Sequence, residues 1–270
     1  MEFKEKKQKL EKFLKDCGQA VIAYSGGVDS TFLLLLGKKI LGDRILAVTA
    51  SAPNFAPDEI RYAQELCREE GIRHMTVDLG EEILNSFSHN PPDRCYICKK
   101  AIFGQLKQQA EKIFPGAVVC DGTNLDDMKD YRPGRKALEE LQVVSPLKEA
   151  GFTKAEVRRG LKELGGEIWD KPAFACLASR IPYGQEITVE KLEAVYKAEC
   201  FLHDLGFPQV RVRHHGNLAR IEVPPEVRSE FFDLGFMDKV NEQIKAAGFL
   251  YVTLDLAGYR MGSLNEEIKI

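Results

Sequence analysis

Val21-Ile22-Ala23-Tyr24-Ser25-Gly26-Gly27-Val28-Asp29-Ser30-Thr31-Phe32-Leu33-Leu34-Leu35-Leu36 is the stretch on which the fold turns. Ala20 to Tyr24 is a short apolar run of the kind a buried parallel strand shows, and Thr31 to Leu41 is apolar enough to pack as a helix on a sheet. Between them stand two glycines and three short polar residues. Glycine lets the backbone bend and lets an anion approach the main chain, while Ser and Asp suit the first turn of a helix. A helix N-terminus offers unpaired N–H groups and the positive end of its dipole to a phosphate. The stretch therefore reads as a phosphate cradle between a strand and a helix.

Outward from it the chain alternates. Lys4 to Cys17 has helical spacing, Arg44 to Ala50 reads as a strand, Pro57 to Gly71 as a helix and Ile72 to Asp78 as a third strand. Ala117 to Asn124 is a fourth strand and its exit turn, Val143 to Leu147 a fifth strand, and Thr153 to Gly165 a helix with Thr153 as N-cap and Glu156 three residues on, as in a capping box. Such alternation predicts an α/β fold, a doubly wound and mainly parallel sheet with helices on both faces. Ligands of these sheets bind beyond the carboxyl ends of the strands where strand order reverses, which places Ser25 to Ser30 and Ser51 at one mouth.

The cradle lacks the spacing and the lysine of a Walker loop. Ser25-Gly26-Gly27-Val28-Asp29-Ser30 instead resembles the PP-loop of the ATP pyrophosphatase superfamily, which cleaves ATP between the α- and β-phosphates to adenylate a substrate. The resemblance implies ATP as cofactor, a pyrophosphate held by Ser25, Gly26, Gly27 and Ser30, Mg2+ placed by Asp29, and Ser51 near the adenine or ribose. The string Gly122-Thr123-Asn124 with Asp126 and Tyr131-Arg132-Pro133-Gly134 is similar to the second nucleotide-facing segment of PP-loop sulfur-inserting enzymes. That likeness selects Gly122, Thr123, Asp126 and Arg132.

Bulk properties narrow the class. The chain has 270 residues, 44% apolar and 29% charged, as a soluble globular protein does. That length allows one large domain or two ordinary ones. A net charge of −3 argues against a general nucleic-acid binder. No apolar run reaches the roughly 20 residues of a membrane span, and the charged N-terminus has no secretory apolar region, so a cytoplasmic protein is expected. Seven cysteines form an odd count in a chain of this size, which favours reduced thiols, metal binding or catalysis over a disulfide scaffold. Cys95 and Cys98, three apart where Arg94 to Phe103 opens a helix, share a face and fit one metal or cluster edge.

The second half is richer in reactive residue types. Lys171-Pro172-Ala173-Phe174-Ala175-Cys176-Leu177-Ala178-Ser179-Arg180-Ile181-Pro182-Tyr183-Gly184, following the loop and the Tyr-Arg-Pro-Gly string, resembles the LarE family of sulfur transferases of nickel-pincer nucleotide synthesis. The likeness runs from about residue 20 to about residue 223 and is carried by three motifs in order. It implies adenylation of a carboxylate of pyridinium-3,5-biscarboxylic acid mononucleotide and its conversion to a thiocarboxylate. Sulfur then comes from Cys176 itself, leaving dehydroalanine, or from sulfide on a [4Fe-4S] cluster held by Cys95, Cys98 and Cys176. The presence of the Cys95–Cys98 pair favours the cluster. Companion enzymes of the nickel-pincer pathway and a homo-oligomer are expected alongside it. A thiolate is the attacking or ligating form of Cys176, and Arg180 nearby is expected to lower its pKa; Ser179 is grouped with them.

A first domain over residues 1–170 and a smaller α+β domain over 171–270 are predicted. Thr188 caps a helix to Leu205, Gln209 to Arg213 alternates as a strand, His214 to Asn217 turns and Leu218 to Val223 returns. A helix from Glu226 to Ala247, interrupted near Gly235, and a strand from Tyr251 to Leu256 complete it. Period-two spacing puts Arg211 and Arg213 on one face, suited to clamping a phosphate or carboxylate. The resemblance gives them the substrate phosphate and offers Glu199 and Glu222 as ligands of a divalent ion. Two other functions compete: a PP-loop tRNA thiolase or amidating ligase, which should show a basic surface or an RNA-binding module, and a nucleotide- or cluster-binding sensor without turnover.

Overall fold

Four parallel strands carry the first half of the chain: β1 (Ala20–Ala23), β2 (Ile45–Ser51), β3 (Arg73–Asp78) and β4 (Val118–Cys120), in the spatial order β3-β2-β1-β4. The computed structural model describes residues 2–129, 133–171, 176–260 and 262–264. Ala20 pairs with Ile45 on one side and with Val118 on the other, so β1 is central and buried, as its unbroken apolar run requires.

Helices α1 (Phe3–Cys17), α2 (Val28–Leu41) and α3 (Pro57–Glu69) follow the expected alternation, and the short α4 (Glu82–Asn85) comes next. Then come α5 (Arg94–Ile113), α6 (Gly134–Glu140), α7 (Pro146–Ala150) and α8 (Lys154–Glu163). Every residue of α2 from Phe32 to Leu36 is buried, so this helix is enclosed rather than amphipathic. It packs with Leu10 and Leu14 of α1, with Phe152, whose ring lies 5.5 Å from that of Phe32, and with Val157 and Leu161 of α8. Thr153 and Glu156 form the expected reciprocal cap of α8.

The fifth strand expected over 143–147 is not one: only Val144 bridges to Cys120. Pro146 lacks the N–H a ladder needs and suits the first turn of a helix, and α7 begins there. After β4 comes a 3-10 turn, Asp126–Lys129, and α6 starts at Gly134.

Contacts divide the chain into two compact units, Met1–Ile83 with Asp93–Phe174, and Leu84–Pro92 with Ala175–Ile270. The short stretch 84–92 thus belongs to the second unit although it lies within the first half of the chain. Asn90 explains why. It is buried, adopts φ 54°, which Asn tolerates, and its amide donates to the carbonyls of Ile181 and Pro182 at 3.1 and 2.7 Å.

In the second unit, α9 (Val189–Asp204) packs on a three-stranded sheet of β5 (Arg211–His215), β6 (Leu218–Glu222) and β7 (Tyr251–Leu254), ordered β5-β6-β7. β5 and β6 are antiparallel and β6 and β7 parallel. His214 and His215 belong to β5 rather than to the turn, which is left to Gly216 and Asn217. The long helix expected over 226–247 is a 3-10 stretch, Pro225–Phe232, followed by α10 (Leu234–Ala246). Asp233 separates them by capping Phe236 N at 2.8 Å. Among the described residues no helix is long and apolar enough to cross a membrane.

Candidate active site

The strand order places a switch between β1 and β4, and the segments leaving both strands meet there. Gly26 takes φ 71°, a conformation glycine adopts without strain, and a Cβ on it would lie 3.0 Å from the Glu59 carbonyl. Gly27 is the N-cap of α2, and its carbonyl accepts from Thr31 N at 3.0 Å, Thr31 Oγ1 at 2.9 Å and Ser30 Oγ at 3.0 Å. Ser25 Oγ lies 3.2 Å from Ser30 Oγ. The loop is thereby shaped by its own short side chains at the positive end of a 14-residue helix.

The exit of β4 lies directly against it. A Cβ on Gly122 would meet Ser30 N at 2.9 Å, so only glycine lets this backbone approach the first turn of α2 so closely. Asn124 Nδ2 donates to Asp29 Oδ1 at 3.1 Å, and Lys154 Nζ, at the first residue of α8, donates to Asp29 Oδ2. The Asn124 amide oxygen in turn accepts from Asp126 N at 2.8 Å, and Asp126 Oδ2 accepts from Lys154 N at 2.8 Å. Thr123 Oγ1 donates to Asp121, whose other oxygen accepts from Ser145 Oγ at 2.6 Å.

Of the residues chosen from sequence, Ser25, Gly26, Gly27, Asp29, Ser30, Gly122, Thr123 and Asp126 thus lie at one strand edge. Ser51 ends β2 on the same edge, and its carbonyl accepts from Leu79 N at 2.9 Å. Arg132 lies outside the described residues. Sequence reasoning missed Asn124 and Lys154. The only signal for either was that Asn124 stands inside the Gly-Thr-Asn string and Lys154 follows the helix cap. Magnesium takes one or two carboxylates along with substrate phosphates, so Asp29, beside the phosphate loop, fits it.

The second unit holds Cys176, Ser179, Arg180, Arg211 and Arg213. Cys176 is exposed and precedes a 3-10 turn, Leu177–Arg180. Its carbonyl accepts from Arg180 Nη1 at 3.2 Å and from Ser179 N at 2.9 Å, and Ser179 Oγ accepts from Arg180 Nη1 at 2.9 Å. Arg180 is 1% exposed. It donates from Nε and Nη2 to the two oxygens of Glu199, at 2.9 and 2.8 Å. Burial works to raise the Glu199 carboxyl, but the Arg180 guanidinium and the bond from Val212 N hold it below the usual carboxylate range.

Arg213 pairs with Glu222 at 2.7 Å, and Glu222 also accepts from Arg220 and from Ser263, both at 3.0 Å. Glu199 and Glu222, expected as metal ligands, are therefore engaged by guanidinium groups. Three buried arginines, Arg180, Arg211 and Arg213, accompany these two buried carboxylates. Arg211 stacks 5.5 Å from the Tyr259 ring, and burial followed by the nearby Arg180 charge pushes its guanidinium below the ordinary value.

The seven cysteines, all among the described residues, form no disulfide. Cys95 and Cys98 lie three residues apart near the start of α5 in the first unit, and Cys176 belongs to the second. Among the described residues no three His, Cys, Asp or Glu side chains are grouped to hold a metal ion.

Comparison with known proteins gives the chain its relatives. The profile of the NAD synthase family matches residues 2–107, which span the phosphate loop. An uncharacterized protein of Synechocystis sp. is 44% identical over 96% of this chain and 97% of its own length. The pyridinium-3,5-bisthiocarboxylic acid mononucleotide synthase of Lactiplantibacillus plantarum is 40% identical over 97% of this chain and 95% of its own. More distantly, the glutamine-hydrolyzing GMP synthase of Aeropyrum pernix is 28% identical over 72% of this chain and 41% of its own.

Proposed function

The chain belongs to the family of the pyridinium-3,5-bisthiocarboxylic acid mononucleotide synthases, and from that membership we propose that it is an ATP-dependent sulfur transferase acting on the biscarboxylic acid precursor. A substrate carboxylate oxygen attacks the α-phosphorus of ATP and pyrophosphate leaves. The resulting acyl adenylate is open to a sulfur nucleophile at its carbonyl carbon, and AMP is the second leaving group. The observation that carries the first half is the meeting of the phosphate loop with Asp29, Asn124 and Lys154 at the switch point of the sheet. Amide groups of Gly26, Gly27 and Ser30, with the hydroxyls of Ser25 and Ser30, suit the pyrophosphate. Bound Mg2+ neutralises phosphate charge, and Asp29 is the residue to hold it.

Cys176 is the sulfur-handling residue. If it donates its own sulfur, the thiolate attacks the adenylate to give a thioester. Loss of the Cα proton then breaks the Cβ–S bond, releasing the thiocarboxylate and leaving dehydroalanine. If sulfide is supplied to the site, the polypeptide is unchanged, and Cys95 and Cys98 on one turn of α5 are the extra thiols that reading requires. Arg211 and Arg213 are the residues for the mononucleotide phosphate; two forked guanidinium groups at alternate positions of β5 suit an anion. Asp126, Thr123 and Gly122 face the nucleotide. Companion enzymes of the nickel-pincer pathway and a homo-oligomer complete the proposal.

The test is incubation with Mg2+, ATP and pyridinium-3,5-biscarboxylic acid mononucleotide. AMP, pyrophosphate and a thiocarboxylate product by mass spectrometry are the expected outcome. ADP and phosphate, or AMP without any sulfur-bearing product, contradict it.

A further inference from the structure

Asp29, Asn124, Asp126 and Lys154 close a ring of hydrogen bonds at the start of α2. Asp29 accepts from the Asn124 amide at 3.1 Å, and the Asn124 oxygen accepts from Asp126 N at 2.8 Å. Asp126 Oδ2 accepts from the main-chain N of Lys154 at 2.8 Å, and the Lys154 ammonium returns to the second oxygen of Asp29. All four residues belong to the first unit. Lys154 is thus held twice, by its backbone at the start of α8 and by its side chain at the phosphate loop, so three separate segments of the chain set where its charge lies.

The ring leaves that charge only partly used. A lysine ammonium carries three donors. Among the described residues that of Lys154 makes one hydrogen bond, to Asp29, and the side chain is 30% exposed, so two donors remain open to a ligand. Lys6, which pairs with Glu156 of the same helix, spends two donors on both carboxylate oxygens and is 13% exposed, as a purely structural pair should. Among the described residues Lys154 is also the one cation hydrogen-bonded to the Ser25–Ser30 loop. Asp29 belongs to the helix turn whose N–H groups face the anion, so an ammonium on its carboxylate stands beside the phosphate oxygens rather than behind them.

We propose that Lys154 is a catalytic residue of adenylation: its two open donors bind oxygens of the β- and γ-phosphates of ATP seated on the loop. The proposal rests on the function given above. As the substrate carboxylate oxygen bonds to the α-phosphorus, the bond from that phosphorus to the bridging oxygen breaks and its electron pair leaves with pyrophosphate. The ammonium stays protonated and bonded to Asp29, and it stabilises the charge gathering on the leaving group. Methionine keeps the length of the side chain without charge or donors. Arginine keeps the charge but exchanges a compact ammonium for a planar fork, so it restores only part of the function.

The experiment is calorimetry of α,β-methylene ATP and of AMP, each with Mg2+, on full-length wild type, Lys154→Met, Lys154→Arg, Asp29→Asn and the Asp29→Asn, Lys154→Met double variant. Lys154→Met is expected to weaken the analogue by about tenfold or more and AMP by less than about twofold, because AMP lacks the phosphates that the ammonium binds. Lys154→Arg falls between Lys154→Met and wild type. The double variant binds the analogue about fivefold or more weaker than Asp29→Asn alone, a further loss that a lysine acting only through Asp29 does not produce. With the biscarboxylic substrate and saturating ATP, AMP formation falls about 100-fold or more in Lys154→Met.

Analogue affinity in Lys154→Met within about twofold of wild type overturns the proposal, as does an equal loss for AMP or a double variant no weaker than Asp29→Asn. If Lys154→Met does not fold, Lys154→Gln makes the same comparisons under the same criteria. Failure of the function itself has a different signature: wild type binds the analogue but forms no AMP with the substrate, and the calorimetric comparison still decides whether Lys154 holds the phosphates.

Discussion

Lys154, the first residue of α8, donates its ammonium to the carboxylate of Asp29 in the first turn of α2, and the two stand 125 residues apart in sequence. The second oxygen of Asp29 is held by Asn124. A carboxylate fixed from two sides is aimed before any nucleotide arrives, which is what electrostatic preorganisation requires. Replacing Asp29 by Asn keeps the shape and removes the charge. It is expected to lower AMP formation by about 100-fold or more, with a smaller loss of ATP affinity, as measured by chromatography of AMP and by calorimetry. Unchanged turnover in Asp29→Asn removes this residue from the chemistry.

The Arg180–Glu199 pair should govern the stability of the second unit, since both side chains are almost fully buried. Removing one partner leaves an uncompensated buried charge, and Arg180→Ala is expected to lose about 3–5 kcal/mol in urea unfolding. A loss below about 1 kcal/mol would mean water reaches the pair.

Acid should find the same pair. The folded Glu199 carboxyl is held low, so its contribution is present above the ordinary carboxylate pKa of about 4.3 and is lost as pH falls through the lower folded value. Melting followed from pH 6 down to about pH 3 is expected to show a steeper loss in wild type than in Glu199→Gln. Parallel curves for the two proteins contradict this.

Alkali should act on the first unit. Burial pushes the Cys67 thiol from 9.0 up to about 12, and that of Cys120 well above its ordinary value. Above pH 9 the unfolded chain ionises these thiols while the folded chain keeps them protonated, so stability falls as pH rises, by up to about 1.4 kcal/mol per pH unit for each. Cys67→Ala is expected to be less stable at pH 7 and to lose less on going to pH 10. Equal losses in both proteins speak against a buried neutral thiol.

How far the sequence reveals all this depends on whether the determinants are local. The phosphate loop is legible because strand, glycine turn and helix start are consecutive, and the cap of α8 because Thr153 and Glu156 are three residues apart. The partner of Asp29 is not legible, since nothing in a run of 125 residues marks Lys154 for it. Period two correctly sets Arg211 and Arg213 along β5, but alternation carries no information on which carboxylates the fold brings to them. The apolar run at 143–147 misleads because a strand and the approach to a short helix look alike until Pro146 is weighed.

The most direct test joins the two halves of the chemistry in one sample: Cys176→Ala against wild type, with Mg2+, ATP and the biscarboxylic mononucleotide, measuring AMP, thiocarboxylate and intact polypeptide mass together. Both proteins are expected to form AMP and only wild type to form thiocarboxylate. A loss of about 34 Da, the mass of hydrogen sulfide, marks Cys176 as the donor, and an unchanged mass with Cys95→Ala inactive marks supplied sulfide. Thiocarboxylate made by Cys176→Ala at the wild-type rate contradicts the account.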